Sequence, residues 1–214
     1  MTEETEVKKK KRRINPFLIM VVLFGFPYVI SWYMFYSGDS LFFKEGKSEG
    51  VLISPVRVMP EFDTLDLSGS TIGHEALNGK WSFLVVGPSL CDELCNETIV
   101  MLRQVRLAQA VDRRRVQRLW LLTENSHNEE LKKLIEAEHQ GLRVLTYNPE
   151  LGQALYPVLN PEGEGFPEGR GIADFSIFLV DPLGNLMMYY EPATDGKKVL
   201  KDLTRLLKFS ELGE

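Results

Sequence analysis

Cys91 and Cys95 are the two cysteines of a 214-residue chain, and their type and spacing limit the chemistry to a few kinds. Four residues apart on a helix, two side chains share one face with their Cα atoms about 6 Å apart, within reach of a disulfide or of one shared metal ion. Unpaired N–H groups and the macrodipole at a helix N-terminus favour a thiolate over a thiol, and the thiolate is the form that attacks disulfides or binds soft metals. Soft here means Cu(I), with Zn(II) as second choice. Two plainer roles compete. A stapling disulfide across so short a loop removes only about 2 kcal/mol of unfolded-chain entropy, and an inert buried pair is open because free cysteine is a common core residue.

The elements around the pair must hold it in place. Ser82–Val86 is a short apolar run closed by Gly87-Pro88-Ser89, which predicts a buried strand and a turn. Beyond the cysteines Leu94, Val100, Met101, Val105, Ala108 and Val111 recur at helical spacing, so a strand should hand the pair to the N-terminus of a long amphipathic helix. Leu119–Thr123 and Arg143–Tyr147 predict two further strands, with a helix through Leu131, Leu134 and Ile135 between them. A short helix at Leu151–Tyr156 leads into Asn160–Gly171, a Gly- and Glu-rich loop. Ser176–Val180 and Leu186–Tyr190 predict a hairpin across Asp181-Pro182-Leu183-Gly184-Asn185, and Val199–Leu207 a closing helix. This order calls for an α/β domain with a mixed sheet flanked by helices and one antiparallel edge pair, which thioredoxin-like topology fits.

Ahead of the domain, the run from Pro16 to Tyr36 has no charged residue, and about 21 residues at ~1.5 Å each cover a ~30 Å hydrocarbon core. One N-terminal transmembrane helix over 16–36 is expected, kinked at Pro27, with Tyr28, Trp32, Tyr33 and Tyr36 toward its far interface. The stretch is too long for the apolar part of a cleaved signal peptide, and no small-x-small site follows it. Lys8 to Arg13 form a basic cluster before the span. By the positive-inside rule residues 1–15 are a cytoplasmic tail, 37–60 a tether with one short strand at Val51–Ser54, and 61–214 the domain on the non-cytoplasmic side. The chain's formal charge is −5; residues 1–13 carry net +3, which leaves −8 on the remainder. An acidic domain is a poor counterion for phosphate backbones, so nucleic acid is excluded as a partner.

Other residues carry less. His74 sits alone in a polar segment, and His127 and His139 flank what should be a surface helix, at spacings that suit no metal site. Met187 and Met188 are thioether donors, but neighbours on a strand face opposite ways, so core packing is their expected role. Asn96-Glu97-Thr98 has the form of a glycosylation acceptor inside a helix, and is read as chance.

Three segments resemble the Sco/SenC family of membrane-anchored, thioredoxin-fold factors for copper insertion into cytochrome c oxidase. They are Leu77-Asn78-Gly79-Lys80-Trp81, Gly87-Pro88-Ser89-Leu90-Cys91-Asp92-Glu93-Leu94-Cys95 and Phe178-Leu179-Val180-Asp181-Pro182-Leu183-Gly184-Asn185, in the family's order. The resemblance, over roughly Phe62 to Leu207, implies that Cys91 and Cys95 hold one copper ion, that a His from the loop before the hairpin completes the site, and that the reduced pair exchanges disulfides. Here the His position falls on or near Ala173, no His follows His139, and Asp92 and Asn96 stand where the family has prolines. Two thiolates can hold Cu(I) alone, whereas a stable Cu(II) site needs the missing imidazole.

The sequence therefore predicts a Sco-like thiol:disulfide or copper-handling factor in cytochrome c oxidase assembly, anchored in the inner membrane with its domain in the periplasm. Cys91 attacks, Cys95 resolves, and the pair doubles as disulfide and as Cu(I) site. The expected partners are the membrane and a cytochrome c oxidase subunit or a copper or thiol-redox protein. The alternative is a non-catalytic assembly or scaffold module that kept the thioredoxin fold. A peroxiredoxin-like peroxidase lacks its Thr, Ser89 being the nearest hydroxyl.

Overall fold

Strand β4 (Trp81–Gly87) is apolar along both faces, and all seven of its residues are buried. A strand of that kind has to be central, and it is paired on both sides. It runs parallel to β5 (Val116–Leu122), from Trp81 opposite Val116 to Gly87 opposite Leu122. It runs antiparallel to β7 (Ser176–Val180), from Ser82 opposite Val180 to Val86 opposite Ser176. β6 (Leu142–Leu145) extends the sheet beyond β5; β8 (Asn185–Tyr190) and then β1 (Val51–Val58) extend it beyond β7, giving the order β1-β8-β7-β4-β5-β6. The computed structural model describes residues 15–37, 48–124, 129–160 and 171–210.

Alternation along the strands divides the core in two. Phe83, Val85, Trp120 and Ile177 face α2 (Glu93–Ala108), α3 (Glu129–Glu138) and α5 (Gly196–Phe209), meeting Ile99, Leu102, Leu131, Ile135, Val199 and Leu203. Leu84, Val86, Leu121 and Phe178 face the other way, onto Leu151, Leu155 and Leu159 of α4 (Pro149–Leu159) and onto Ile53 and Met59. The predicted hairpin forms at Asp181–Asn185: Asp181 Oδ1 accepts from the N–H groups of Leu183 and Asn185 at 2.9 and 2.8 Å, and Gly184 takes φ +81°, which a side chain would strain. The α/β mixed sheet expected from the sequence is therefore present.

Three expectations change. The domain starts at Ser48 rather than near Glu61, because the short strand expected at Val51–Ser54 is an eight-residue edge strand of the main sheet. Its entry is fastened by the Asp202 carboxylate, which accepts from the N–H groups of Glu49 and Gly50 at 2.9 Å and from the Tyr190 hydroxyl at 3.3 Å. Burial and then the Asp202 charge push the Tyr190 hydroxyl far above its ordinary range. A small hairpin of β2 (Asp63–Leu65) and β3 (Thr71–Gly73) fills the stretch that periodicity left unassigned. His139 is not on the surface: it is 1% exposed and closes α3 over Arg118, also 1% exposed, on β5.

Helix α1 (Pro16–Ser37) has 22 residues, no charge and Pro27 inside it. Its apolar side chains are bare, Phe17, Leu23, Phe24, Phe26 and Val29 each by more than half. Among the described residues no helix is long and apolar enough to cross a membrane.

The buried cations set a pH dependence. Burial lowers the Arg118 guanidinium to about 10, with Arg106 and Arg103 adding to the shift, so it stays charged at neutral pH. Burial also holds the His139 imidazole below its ordinary value; Glu138 opposes the shift, and Arg118 and Arg103 reinforce it. Folded His139 is therefore neutral where the unfolded chain, with an imidazole pKa near ~6.5, takes up a proton. Its contribution to stability is complete above about pH 6.5 and is lost as pH falls through the lowered folded value. Denaturation followed between about pH 7.5 and 5 should show the wild-type midpoint dropping more steeply than that of His139→Leu; parallel profiles would exclude His139 as the cause.

Candidate functional site

The site begins where β4 ends. Gly87 is required there by close approach, since a Cβ would stand 2.8 Å from the ring of Phe175. The Phe175 N–H donates to Val86 O at 2.7 Å, and its φ of +61° turns the loop before β7 across the strand end. Pro88-Ser89-Leu90 then carries the chain out of the sheet. Ser89 fastens this turn: its Oγ donates to Glu124 Oε1 at 2.8 Å, just past the end of β5.

Asp92 caps α2. It is extended, and its Oδ1 accepts from the N–H of Cys95 at 2.9 Å. Cys95 is the first member of the buried stripe Cys95, Ile99, Leu102, Val105 and is 0% exposed. Cys91 precedes the cap, so the expectation that both cysteines are helical is corrected: one stands outside the helix and the other in its first turn. Their Cα atoms are 5.1 Å apart and the sulfurs are bonded to each other. Cys91 packs half-buried against the edge of the core. An incoming thiolate can reach only the Cys91 sulfur, and Cys95 is placed to leave and return.

The local field differs from the one expected of a bare helix end. The Cys95 N–H is spent on a carboxylate rather than on sulfur. The macrodipole offers roughly half a positive charge, and Asp92 and Glu93 each bring a full negative charge beside it. The cap therefore sets negative charge against the positive pole of the dipole.

The other candidate residues are kept apart. Ala173, at the position where the resemblance implies a His, lies at the same end of β4; its carbonyl accepts from the N–H and Oγ of Ser176, and its side chain has no donor to give a metal. His74 is bonded through Nδ1 to Pro60 O at 3.0 Å and packs against Gly184, on the hairpin turn at the opposite end of the strand. His127 lies outside the described residues. Met188 is buried beneath the Tyr190 hydroxyl, and Asn96 is exposed on α2. Among the described residues no three of His, Cys, Asp and Glu are grouped to hold a metal ion. The donor set fits two-coordinate Cu(I) on reduced sulfurs and does not fit Cu(II).

Sequence reasoning missed Leu90, Asp92, Glu124 and Phe175. Asp92 had a signal, an N-cap residue type directly before an acidic first turn. Glu124 and Phe175 act through contacts between distant segments, and Leu90 lies outside any periodic run. A cleft of about 860 Å³, lined by Val86, Thr123, Tyr147, Gln153, Tyr156 and Ile172, also opens at this end of the sheet, on the α4 side. Burial and the neighbouring Tyr147 raise the Tyr156 hydroxyl above its ordinary value.

Residues 81–210 match the family model described as a transmembrane-like, thioredoxin-like, C-terminal domain. No curated protein matches the chain. Among solved structures it is similar to copper-bound ScoI of Bradyrhizobium japonicum, at 17% identity and a TM-score of 0.54 over 70% of this chain and 99% of that one. It is similar to BsSco, described with a disulfide switch and as a member of the Sco family of cytochrome c oxidase assembly proteins, at 16% identity and 0.52 over 72% and 95%. The thioredoxin domain of a thiol-disulfide oxidoreductase from Bacteroides vulgatus gives 16% and 0.52 over 70% and 95%. At such identities the likeness is one of fold, and the thioredoxin-like fold expected from the sequence is confirmed.

The capping carboxylate is testable without unfolding the helix, because Asn caps as well as Asp. With the pair reduced and the pH fixed near ~7, Asp92→Asn should make Cys91 alkylate several-fold faster. An unchanged or slower rate would mean that the carboxylate does not govern the sulfur.

Proposed function

The chain belongs to the transmembrane-like, thioredoxin-like C-terminal domain family, and we propose that it is a membrane-tethered dithiol–disulfide factor of Sco type serving cytochrome c oxidase assembly. The observation that carries this is the asymmetry of the pair: one sulfur reachable at the protein surface, its bonded partner buried at the helix start. In the oxidising direction a partner thiolate attacks the Cys91 sulfur, a new S–S bond forms to the partner, and the Cys91–Cys95 bond breaks with Cys95 leaving as thiolate. A second partner thiolate then displaces Cys91, so the partner is oxidised to a disulfide and the pair is reduced. The reverse sequence reduces a partner disulfide. The similar Sco structures support this reading through fold and through the copper, the disulfide switch and the oxidase assembly described for those proteins.

Copper enters as cargo in one form only. Reduced Cys91 and Cys95 supply two soft donors for Cu(I), and Ala173 supplies none, so this chain would carry Cu(I) and form no stable Cu(II) site. We further propose that 16–36 is a membrane anchor, with the basic segment Lys8 to Arg13 in the cytoplasm and the domain in the periplasm.

In cells, full-length Cys95→Ser should accumulate a mixed disulfide with a membrane or periplasmic protein, seen as a reducible higher-mass band that Cys91→Ser abolishes. Absence of any such band, with oxidase assembly intact in a double Cys→Ser strain, would leave the scaffold alternative. Separately, a periplasm-active reporter fused after Glu214 should be active, and a cytoplasm-active one silent. The opposite pattern would overturn the anchor and its orientation.

A further inference from the structure

The dithiol reading leaves open what kind of protein presents its sulfur to Cys91, and the charges around the pair bear on that. Leu90, next to the reachable sulfur, is 74% exposed. Its aliphatic side chain stands bare beside the pair, on a turn that Ser89 fixes to Glu124. Among the described residues of the α2 cap and of the loop before β7, the exposed charges are of one sign. Asp92, Glu93 and Glu97 occupy the cap and first turns of α2, and Asp174 lies on the loop that Phe175 ties to Val86.

The described cations of α2 and α5 stand farther along those helices. On α2 the first is Arg103, eight residues and about 12 Å beyond Cys95, followed by Arg106. Lys197, Lys198 and Lys201 belong to α5, which meets α2 at Met101, about 9 Å down the helix from Cys95, and the last two are paired with Glu49. The four carboxylates form no metal-holding group among the described residues. Their consequence is a field over the disulfide, negative at the end of α2 that carries the chemistry and positive at the other.

We infer that the face around Cys91 docks a partner polypeptide that is cationic on both sides of its own cysteine and sets an apolar side chain on Leu90. This rests on the dithiol reading and adds the class of partner. Opposite charges raise the local concentration of the correct cysteine, and like charges reject anionic thiols, glutathione-type tripeptides included.

The test uses full-length Cys95→Ser in detergent with two peptides, identical except that the cysteine is flanked by Arg in one and by Glu in the other. Each peptide cysteine is activated as its 2-pyridyl disulfide. The Cys91 thiolate attacks the peptide sulfur, a Cys91–peptide S–S bond forms, the peptide–pyridyl S–S bond breaks, and 2-thiopyridone leaves with the electron pair and takes a proton; its absorbance gives the rate. At low salt the Arg peptide should react about tenfold faster than the Glu peptide, and the ratio should fall below about twofold at ~0.5 M salt. Glu93→Gln with Glu97→Gln should lower the low-salt ratio by about threefold. The reduced wild-type chain, which also attacks through half-buried Cys91, should give the same ratio and guards against a folding defect in the Ser variant. Equal rates for the two peptides, or a ratio indifferent to salt, would overturn the cationic partner and leave the dithiol reading standing. No reaction with either peptide would overturn both.

Discussion

Everything at the site descends from the pairing of β4 on both of its edges. A strand hydrogen-bonded to a parallel neighbour on one side and an antiparallel neighbour on the other, with all seven residues buried, cannot shift register without moving both halves of the core. Its last residue is thereby fixed in space. The turn that follows is held by Ser89 on Glu124 and by Phe175 over Gly87, and each of these clamps comes from a segment far away in sequence. Cys91 inherits its position from that turn, and Cys95 from the buried stripe of α2.

The same arrangement decides the electrostatics. A helix N-terminus next to sulfur is usually a reason to expect an activated thiolate, but a helix needs a cap, and this one is capped by a carboxylate. The residue that stabilises the helix therefore opposes the charge that the helix end would otherwise attract.

Much of this was legible in the sequence because periodicity reports burial. The all-apolar run Ser82–Val86, the i, i+3, i+4 recurrence after Cys95 and the Asp181–Asn185 turn each forced one local structure, and the order of elements then left few topologies. What could not be seen were pairings of an element with something distant. Val51–Val58 has mixed exposure; the sequence pointed to a strand over Val51–Ser54 alone, and the pairing with β8 reveals its full length and its place at the sheet edge. His139 follows an acidic, amphipathic helix and looked solvated; what buries it is Arg118, an arginine at a core-facing position that strand periodicity argues against. His127 and the loop beyond Asn160 lie largely outside the described residues, so those expectations stand where the sequence left them.

In the proposed function, copper and disulfide chemistry would compete for the same two sulfur atoms. A bonded pair has no thiolate to offer a metal, and a metal-bound pair has no disulfide to exchange. Where an imidazole completes such a site, the metal-loaded form is held against oxidation by three donors. Here the loop that would supply it contributes Ala173, with no donor atom in its side chain, and Phe175, whose ring packs on Gly87 and Trp120. That loop has been given to packing rather than to ligation, and it braces the turn that carries Cys91. Under the proposed function, the same contacts that fix the cysteines in place would tilt the balance between the two chemistries toward the disulfide.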